Sequence, residues 1–344
     1  MKNLKILLVL VVFTGFTYWG IEPLAHSVFN PYVSPVDYDF TEIFTPDGAK
    51  PDKNAAKAER ARIMGLIAGG DAADGEAQFN VCMGCHTLQA ATPPHTLDPK
   101  MLVESYGLVP PDLSYATLIY DEPFLFKYIM NPNHAAYKAA HTELQKELSE
   151  KEKKSRPKEA AKIDETTAKS IIDFDEKIDM QLSLMIGFIA DEESAANLMA
   201  YLREVAATKG GKPTYKELVL NACARCHSVK YDKIDVKADV AKLKTYLGSV
   251  PPDLSVMIKS KGKDYLSTFV NEPQKHLLGT TMPRVGLTEE SQEKVIAYLE
   301  RVGDPKKDDR ALLGVFFVGY FLLMAAIAYA WKHNEFEEME DDDS

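Results

Sequence analysis

Two stretches of this chain carry no charge, and they lie near its two ends. Ile6 to Ile21 is 16 residues, and Ala311 to Trp331 is 21 residues bracketed by Arg310 and Lys332. At about 1.5 Å rise per residue the second spans the roughly 30 Å hydrocarbon core of a bilayer as a helix. It is apolar all round, which predicts a transmembrane helix within 305–331. The first is short for a span. Segment 1–21 therefore predicts either an anchor lengthened by a snorkelling Lys5, with Tyr18 and Trp19 at the interface, or a signal peptide cleaved near Ala25-His26-Ser27. Between these ends the pattern turns amphipathic. Glu192 to Val205 and Glu289 to Val302 carry apolar stripes at i, i+3, i+4 spacing, the second through Val295, Ile296, Leu299 and Val302. Ala73 to Val81, with Phe79 inward, and Tyr215 to Ala222 predict two further helices. Segment 22–60, rich in Pro, Asp and aromatics, predicts an extended linker.

The polar and apolar positions also repeat. Val109-Pro110-Pro111-Asp112-Leu113-Ser114 recurs 141 positions later as Val250-Pro251-Pro252-Asp253-Leu254-Ser255. Further along, Met185 with Ala200-Tyr201-Leu202 recurs as Met282 with Ala297-Tyr298-Leu299, now 97 positions apart. A repeat of this kind decides the architecture ahead of local propensity. The chain reads as a duplication, with domains at 61–208 and 209–304, whose first copy holds 44 extra residues, the drop from 141 to 97. That insertion, about 135–178, is dense in both charges: from Ala136 to Ile178 there are ten Lys or Arg and ten Asp or Glu. Two solvated helices joined near Pro157, or a docking surface for a neighbouring subunit, both fit it.

The same offset of 141 links Cys82-Met83-Gly84-Cys85-His86 to Cys223-Ala224-Arg225-Cys226-His227. C-x-x-C-H is the covalent attachment pattern of a c-type heme: two thiols for two vinyl groups, and an adjacent imidazole for the iron. The chain's 4 cysteines are all used by these two sites, leaving none for a disulfide or another cluster. The expected cofactors are two heme c, held by Cys82, Cys85, Cys223 and Cys226, with His86 and His227 as axial ligands. Met282, in the irregular Thr281–Leu287 loop and stiffened by Pro283, is the expected sixth ligand of the second iron. Met185 is its counterpart in the first copy, with Ile186 in place of the proline; Met130, Met180 and His134 are rivals there. His134 and His276, at nearly matching places, leave bis-histidine ligation open. Pro110, Pro111, Pro251 and Pro252 are expected to pack on the histidine side of each heme, their carbonyls orienting His86 and His227. His95 and His141 read as surface residues.

Charge adds little to this. The net value is −11, and the acidic tail 332–344 alone has seven acids. With those and the flanking Lys2, Lys5 and Lys332 set apart, the exposed body keeps −7. This mild acidic bias favours a basic protein partner and disfavours nucleic acid. The tail itself reads as a solvated, disordered end. Histidine–methionine ligation would raise the potential and close the iron to substrate, as electron transfer requires. No Ser-His-Asp set, carboxylate pair or phosphate loop stands out, so no catalytic residue is assigned.

These residues resemble class I cytochrome c domains in tandem, giving a mainly α fold with a C-terminal transmembrane helix. The heme motif, the Pro-Pro-Asp-Leu-Ser turn, the methionine, the closing helix and the C-terminal anchor are similar to cytochrome c1. In duplicate, over Gly70 to Trp331, they look like the diheme cytochrome c subunit of some bacterial cytochrome bc1 complexes. That resemblance implies cytochrome b and a Rieske iron–sulfur protein as partner subunits and a periplasmic cytochrome c or oxidase as acceptor. It also implies a place in the bacterial cell membrane, with the heme domains periplasmic and the tail cytoplasmic. The alternatives are the diheme subunit of a cbb3-type oxidase, which would not require the helix at Ala311–Trp331, and a diheme peroxidase, which would need one open iron.

Overall fold

The computed structural model describes residues 2–29, 35–46, 49–137, 189, 191–208, 211–277 and 280–342. Met185, Met180, His141 and residues 138–178 of the insertion lie outside these. The described residues are mainly helical. They contain no β-strand, only four isolated bridges.

Two pairs of crossed helices anchor the body. In the first, Ala72–Phe79 lies against Glu192–Thr208. Asp71 caps the shorter helix, its carboxylate accepting from the N–H groups of Ala73 and Asp74. Asn197 Oδ1 accepts from the Asp71 N–H at 2.8 Å, so one helix caps the approach to the other. The crossing is backbone on backbone. A β-carbon on Gly75 would lie 2.0 Å from the Asn197 carbonyl oxygen, and one on Gly70 would lie 2.5 Å from that of Ala196. Phe79 and Tyr201 close the contact with ring centroids 5.6 Å apart. In the second pair Tyr215–Ala222, started by a Thr214/Glu217 capping box, packs near Glu289–Gly303. Both closing helices bury the stripes that their periodicity predicts, through Leu198, Leu202 and Val205 in one and Val295, Ile296 and Leu299 in the other.

Segment 22–60 departs from the extended linker its composition suggested. It holds the helix Glu22–Phe29, a turn of helix at Thr41–Phe44 and the start of Lys53–Ala68. Phe40, Ile43 and Phe44 are buried in the first core with Ile63 and Ile67. The reason is spacing: Phe40, Ile43 and Phe44 fall on one face of a turn, and burying such side chains gains about 1.5–3 kcal/mol each. Arg60 fastens the long helix to Asp121 through two hydrogen bonds of 2.8 Å.

The two halves interlock. Tyr115, Ala116, Ile119 and Tyr120 belong by sequence to the first copy, yet they are buried in the second core with Leu218, Val229, Leu287 and Val295. Leu113 and Leu125 touch both cores. Backbone bridges pair Leu108 with Ala238 and Tyr120 with Leu287. Gly286, at φ +73°, lies so close to Phe124 that a β-carbon would fall 2.0 Å from the ring.

Two helices are long and apolar enough to cross a membrane, one over Leu8–Ala25 and one over Lys307–Lys332. Neither is buried against the body. The second belongs to a single helix, Lys307–Asp342. It carries the acidic tail on as helix to Asp342, where the charge run suggested a disordered end. Glu335, Glu337, Glu338 and Met339 are helix formers with no Gly or Pro among them to stop the helix.

The crossing sets the first testable outcome. Gly75→Ala should lower the stability of the full chain by about 1–3 kcal/mol, because the Asn197 carbonyl cannot yield without moving a helix. A thermal melt followed by circular dichroism in detergent reads this directly.

Candidate functional site

The two Cys-x-x-Cys-His motifs share one turn and the same histidine contacts. In each, the histidine N–H donates to the carbonyl of the first cysteine at 2.9 Å, curling the five residues into one turn. His86 Nδ1 lies 3.0 Å from the Pro111 carbonyl, and His227 Nδ1 lies 2.8 Å from the Pro252 carbonyl. A carbonyl only accepts, so each Nδ1 carries the proton and each Nε2 keeps its lone pair.

Both prolines are held by the aspartate that follows. Asp112 Oδ2 accepts from Thr87 Oγ1 at 2.8 Å and from the Gln89 N–H at 3.1 Å. Asp253 Oδ2 accepts from Ser228 Oγ at 2.6 Å and from the Lys230 N–H at 3.1 Å. Their other oxygens cap Ser114 and Ser255, whose hydroxyls in turn accept from the N–H of Ala90 and of Tyr231. The aspartate thus ties the residues just after the histidine to the turn that orients it. The recurrence of Asp-Leu-Ser in both copies, with a hydroxyl residue after each histidine, is the sequence signal for this arrangement.

The electrostatics suit a neutral nitrogen ligand. Burial pushes His86 and His227 below the ordinary imidazole range, against the opposing hydrogen bonds to Pro111 and Pro252. Both rings are then neutral near pH 7, as metal coordination requires. Burial also raises the Cys82 and Cys226 thiols and pushes Cys223 up to about 12, favouring the neutral sulfur. Among the described residues no three His, Cys, Asp or Glu side chains converge as ligands of a bare ion. A zinc ion would need converging thiolates. Two sulfurs beside a separately aimed imidazole fit a porphyrin tethered at its edge.

Pro110 and Pro251 precede the accepting carbonyls in the same turns. Met282 is half-buried in the loop before the closing helix. That loop is fixed from both halves. Its Thr281 carbonyl accepts from the Tyr137 hydroxyl at 3.0 Å, the Arg284 N–H donates to Ala136, and the Gly286 carbonyl accepts from the Asp121 N–H. Arg284 is buried, with Nε on the Asn271 carbonyl and a 3.4 Å contact to Glu42. Met185, the expected partner of the first site, lies outside the described residues. Of the rival histidines, His276 has a buried Nε2 with no hydrogen-bond partner and stacks obliquely near Tyr265. His134 sits in a turn begun by Asn131, whose side chain accepts from the His134 N–H. His95 is not the surface residue its surroundings suggested. It is half-buried, with Nε2 2.8 Å from the Met83 carbonyl inside the first motif.

The sign of the pH dependence follows from Asp253. Burial raises its pKa, but hydrogen bonds from Ser228, Ser255 and the Lys230 N–H outweigh burial and hold it near 2, below the ordinary 3.8. Its stabilisation is complete above the ordinary value and is lost as pH falls toward 2. Asp253→Asn should cost about 1–3 kcal/mol at pH 7. It should also flatten the acid branch of a stability-versus-pH curve between about pH 4 and 2, measured by denaturant melts across pH.

No family model matches the chain, and no curated protein matches it either. One chain of a solved structure described as a hyperthermophilic respiratory Complex III aligns at 27% identity. The alignment covers 36% of this chain and 74% of that one, with a TM-score of 0.31, too low for the likeness to establish a shared fold.

Proposed function

We propose that this chain is a membrane-anchored diheme cytochrome c, with Cys82, Cys85 and His86 holding one heme and Cys223, Cys226 and His227 the other. The observation that carries the reading is the duplicated imidazole–carbonyl hydrogen bond beside a duplicated pair of half-buried cysteines. Heme, when bound, supplies a one-electron carrier at each site. The chain's residues do the rest. Pro111 and Pro252 fix the tautomer and aim of the ligand nitrogens, and the aspartate networks keep those carbonyls in place. Met282 would supply the remaining ligand at the second site and Met185 at the first. Both Leu8–Ala25 and Lys307–Lys332 lie in the cell membrane of a bacterium, with the heme domains on the periplasmic side.

The order of motifs along the chain, with the Pro-Pro-Asp-Leu-Ser turn and the C-terminal anchor, favours the cytochrome c1-type subunit of a quinol:cytochrome c reductase. Its electrons then come from a Rieske iron–sulfur protein held beside cytochrome b and leave to a periplasmic cytochrome c or oxidase. The apolar helix within Lys307–Asp342 favours this over a cbb3-type oxidase subunit.

A pyridine hemochrome assay on the purified chain should give two covalent hemes, and Cys223→Ser with Cys226→Ser should leave one. Zinc in place of heme would sink the reading. Met282→Leu should remove about half of the methionine–iron charge-transfer absorption in the far red. An unchanged band would move the ligation to His276. Purification through a tag on this chain should bring down cytochrome b and a Rieske protein; a copper-containing oxidase core without a Rieske protein would reverse the assignment.

A further inference from the structure

Arg284 stands one residue beyond the Met282-Pro283 pair, where the first copy has Gly187. Its side chain is 4% exposed, so the guanidinium is out of water. Burying a charge is costly unless it is paired and hydrogen-bonded. Here Nε donates to the Asn271 carbonyl at 2.9 Å, and Nη2 lies 3.4 Å from a Glu42 carboxylate oxygen. The same guanidinium sits over the Phe40 ring, 5.9 Å from its centre. Nη1 is buried with no partner among the described residues. A side chain so incompletely satisfied points to a role beyond stability.

Two anchors meet at this arginine. Within the second copy, the fully buried Asn271 exchanges two side-chain hydrogen bonds with the Leu287 backbone, at 2.9 and 3.0 Å. Arg284 therefore grips the residue that closes the far end of the Thr281–Leu287 loop. The other anchor is segment 37–45, which follows the N-terminal apolar helix along the chain. Its Tyr38 hydroxyl accepts from Gln292 Nε2 at 2.8 Å, on the closing helix. Phe40 is buried and takes a left-handed backbone, φ +49°. A bulky residue is held in that conformation only by its surroundings. Its ring lies 5.2 Å from that of Phe124, against which Gly286 is packed. The segment thus reaches the loop twice, at Arg284 directly and at Gly286 through Phe124.

Resting on the diheme reading above, we infer that Arg284 is the positioning residue of the Met282 loop, and that segment 37–45 is the strap that holds it. Proline fixes its own φ, so a displacement of Arg284 passes through Pro283 to Met282 with little loss. The loop's backbone hydrogen bonds set its course, and Arg284 adds the link to the strap. Loosening that link raises the fraction of time that Met282 stands off the iron. An external ligand binds only to that fraction, so its apparent affinity reports the loop directly.

The test is an imidazole titration of the oxidised full-length holoprotein in detergent, followed through loss of the far-red methionine–iron band. The step missing from Met282→Leu belongs to the second heme. Arg284→Leu should tighten imidazole binding in that step about tenfold, the lower end of what removing a charge-assisted hydrogen bond does. Glu42→Gln should tighten it about threefold, as a partly exposed ion pair allows. Gly75→Ala, which loosens the first helix crossing instead, should leave the step unmoved. The proposal is overturned if either Arg284→Leu or Glu42→Gln folds with wild-type affinity in that step. It is equally overturned if Gly75→Ala tightens the step as much as they do, or if the other heme's step shifts equally, since either outcome reflects general loosening. Where Arg284→Leu fails to fold, Glu42→Gln decides alone. A wild-type chain without covalent heme, or one whose far-red band survives Met282→Leu unchanged, would instead refute the reading on which this rests.

Discussion

The arrangement of this chain depends on one hydrogen bond made twice, from an imidazole Nδ1–H to a proline carbonyl. A histidine on a short irregular turn has two free torsions and two tautomers. The acceptor at 3.0 Å in one copy and 2.8 Å in the other removes that freedom and leaves a single lone pair pointing in one direction. Proline suits the acceptor's role because its φ is already fixed. The aspartate then ties the turn to the backbone just beyond the histidine, so ligand and orienting group cannot drift apart. The helices, the crossing at Gly75 and the two cores hold these small closed networks in place.

Much of this was legible in the residues, because the features with strict geometry leave strict spacing. The four main body helices at Ala72–Phe79, Glu192–Thr208, Tyr215–Ala222 and Glu289–Gly303 lie where the sequence predicts them, the two closing ones by periodicity, and the two apolar helices follow from composition. What escaped were packing facts. Phe40, Ile43 and Phe44 looked like scattered aromatics in a proline-rich linker, since a single helical turn is too short to display a period. The burial of Tyr115 to Tyr120 in the opposite core leaves no local mark at all. His95 looked superficial because its partner, the Met83 carbonyl, is a backbone group that every sequence offers equally.

The duplication is therefore only half a description. In the histidine and aspartate hydrogen bonds the two sites are copies; around them they have diverged. Phe79 with Tyr201 closes one helix crossing, while in the other the Tyr298 hydroxyl reaches Asp232 at 2.5 Å. Glycine holds one place in the first motif and arginine the matching place in the second. The parts that aim a ligand stayed the same, and the parts that fill space between the copies became different from each other. That is what a fused pair needs when each member is also a wall of its neighbour.

The short passage from the closing helix to the C-terminal apolar helix has a mechanical consequence. Only Asp304, Pro305 and Lys306 separate Gly303 from Lys307, and Asp304 is gripped by Arg310 on one side and Lys259 on the other. A joint that short, with ion pairs across it and a proline within it, behaves as a bracket rather than a leash. With the long helix seated in a bilayer, the second site would stand at a set height and tilt above the lipid. Shuttling over distance would then fall to the proteins that bring and remove electrons.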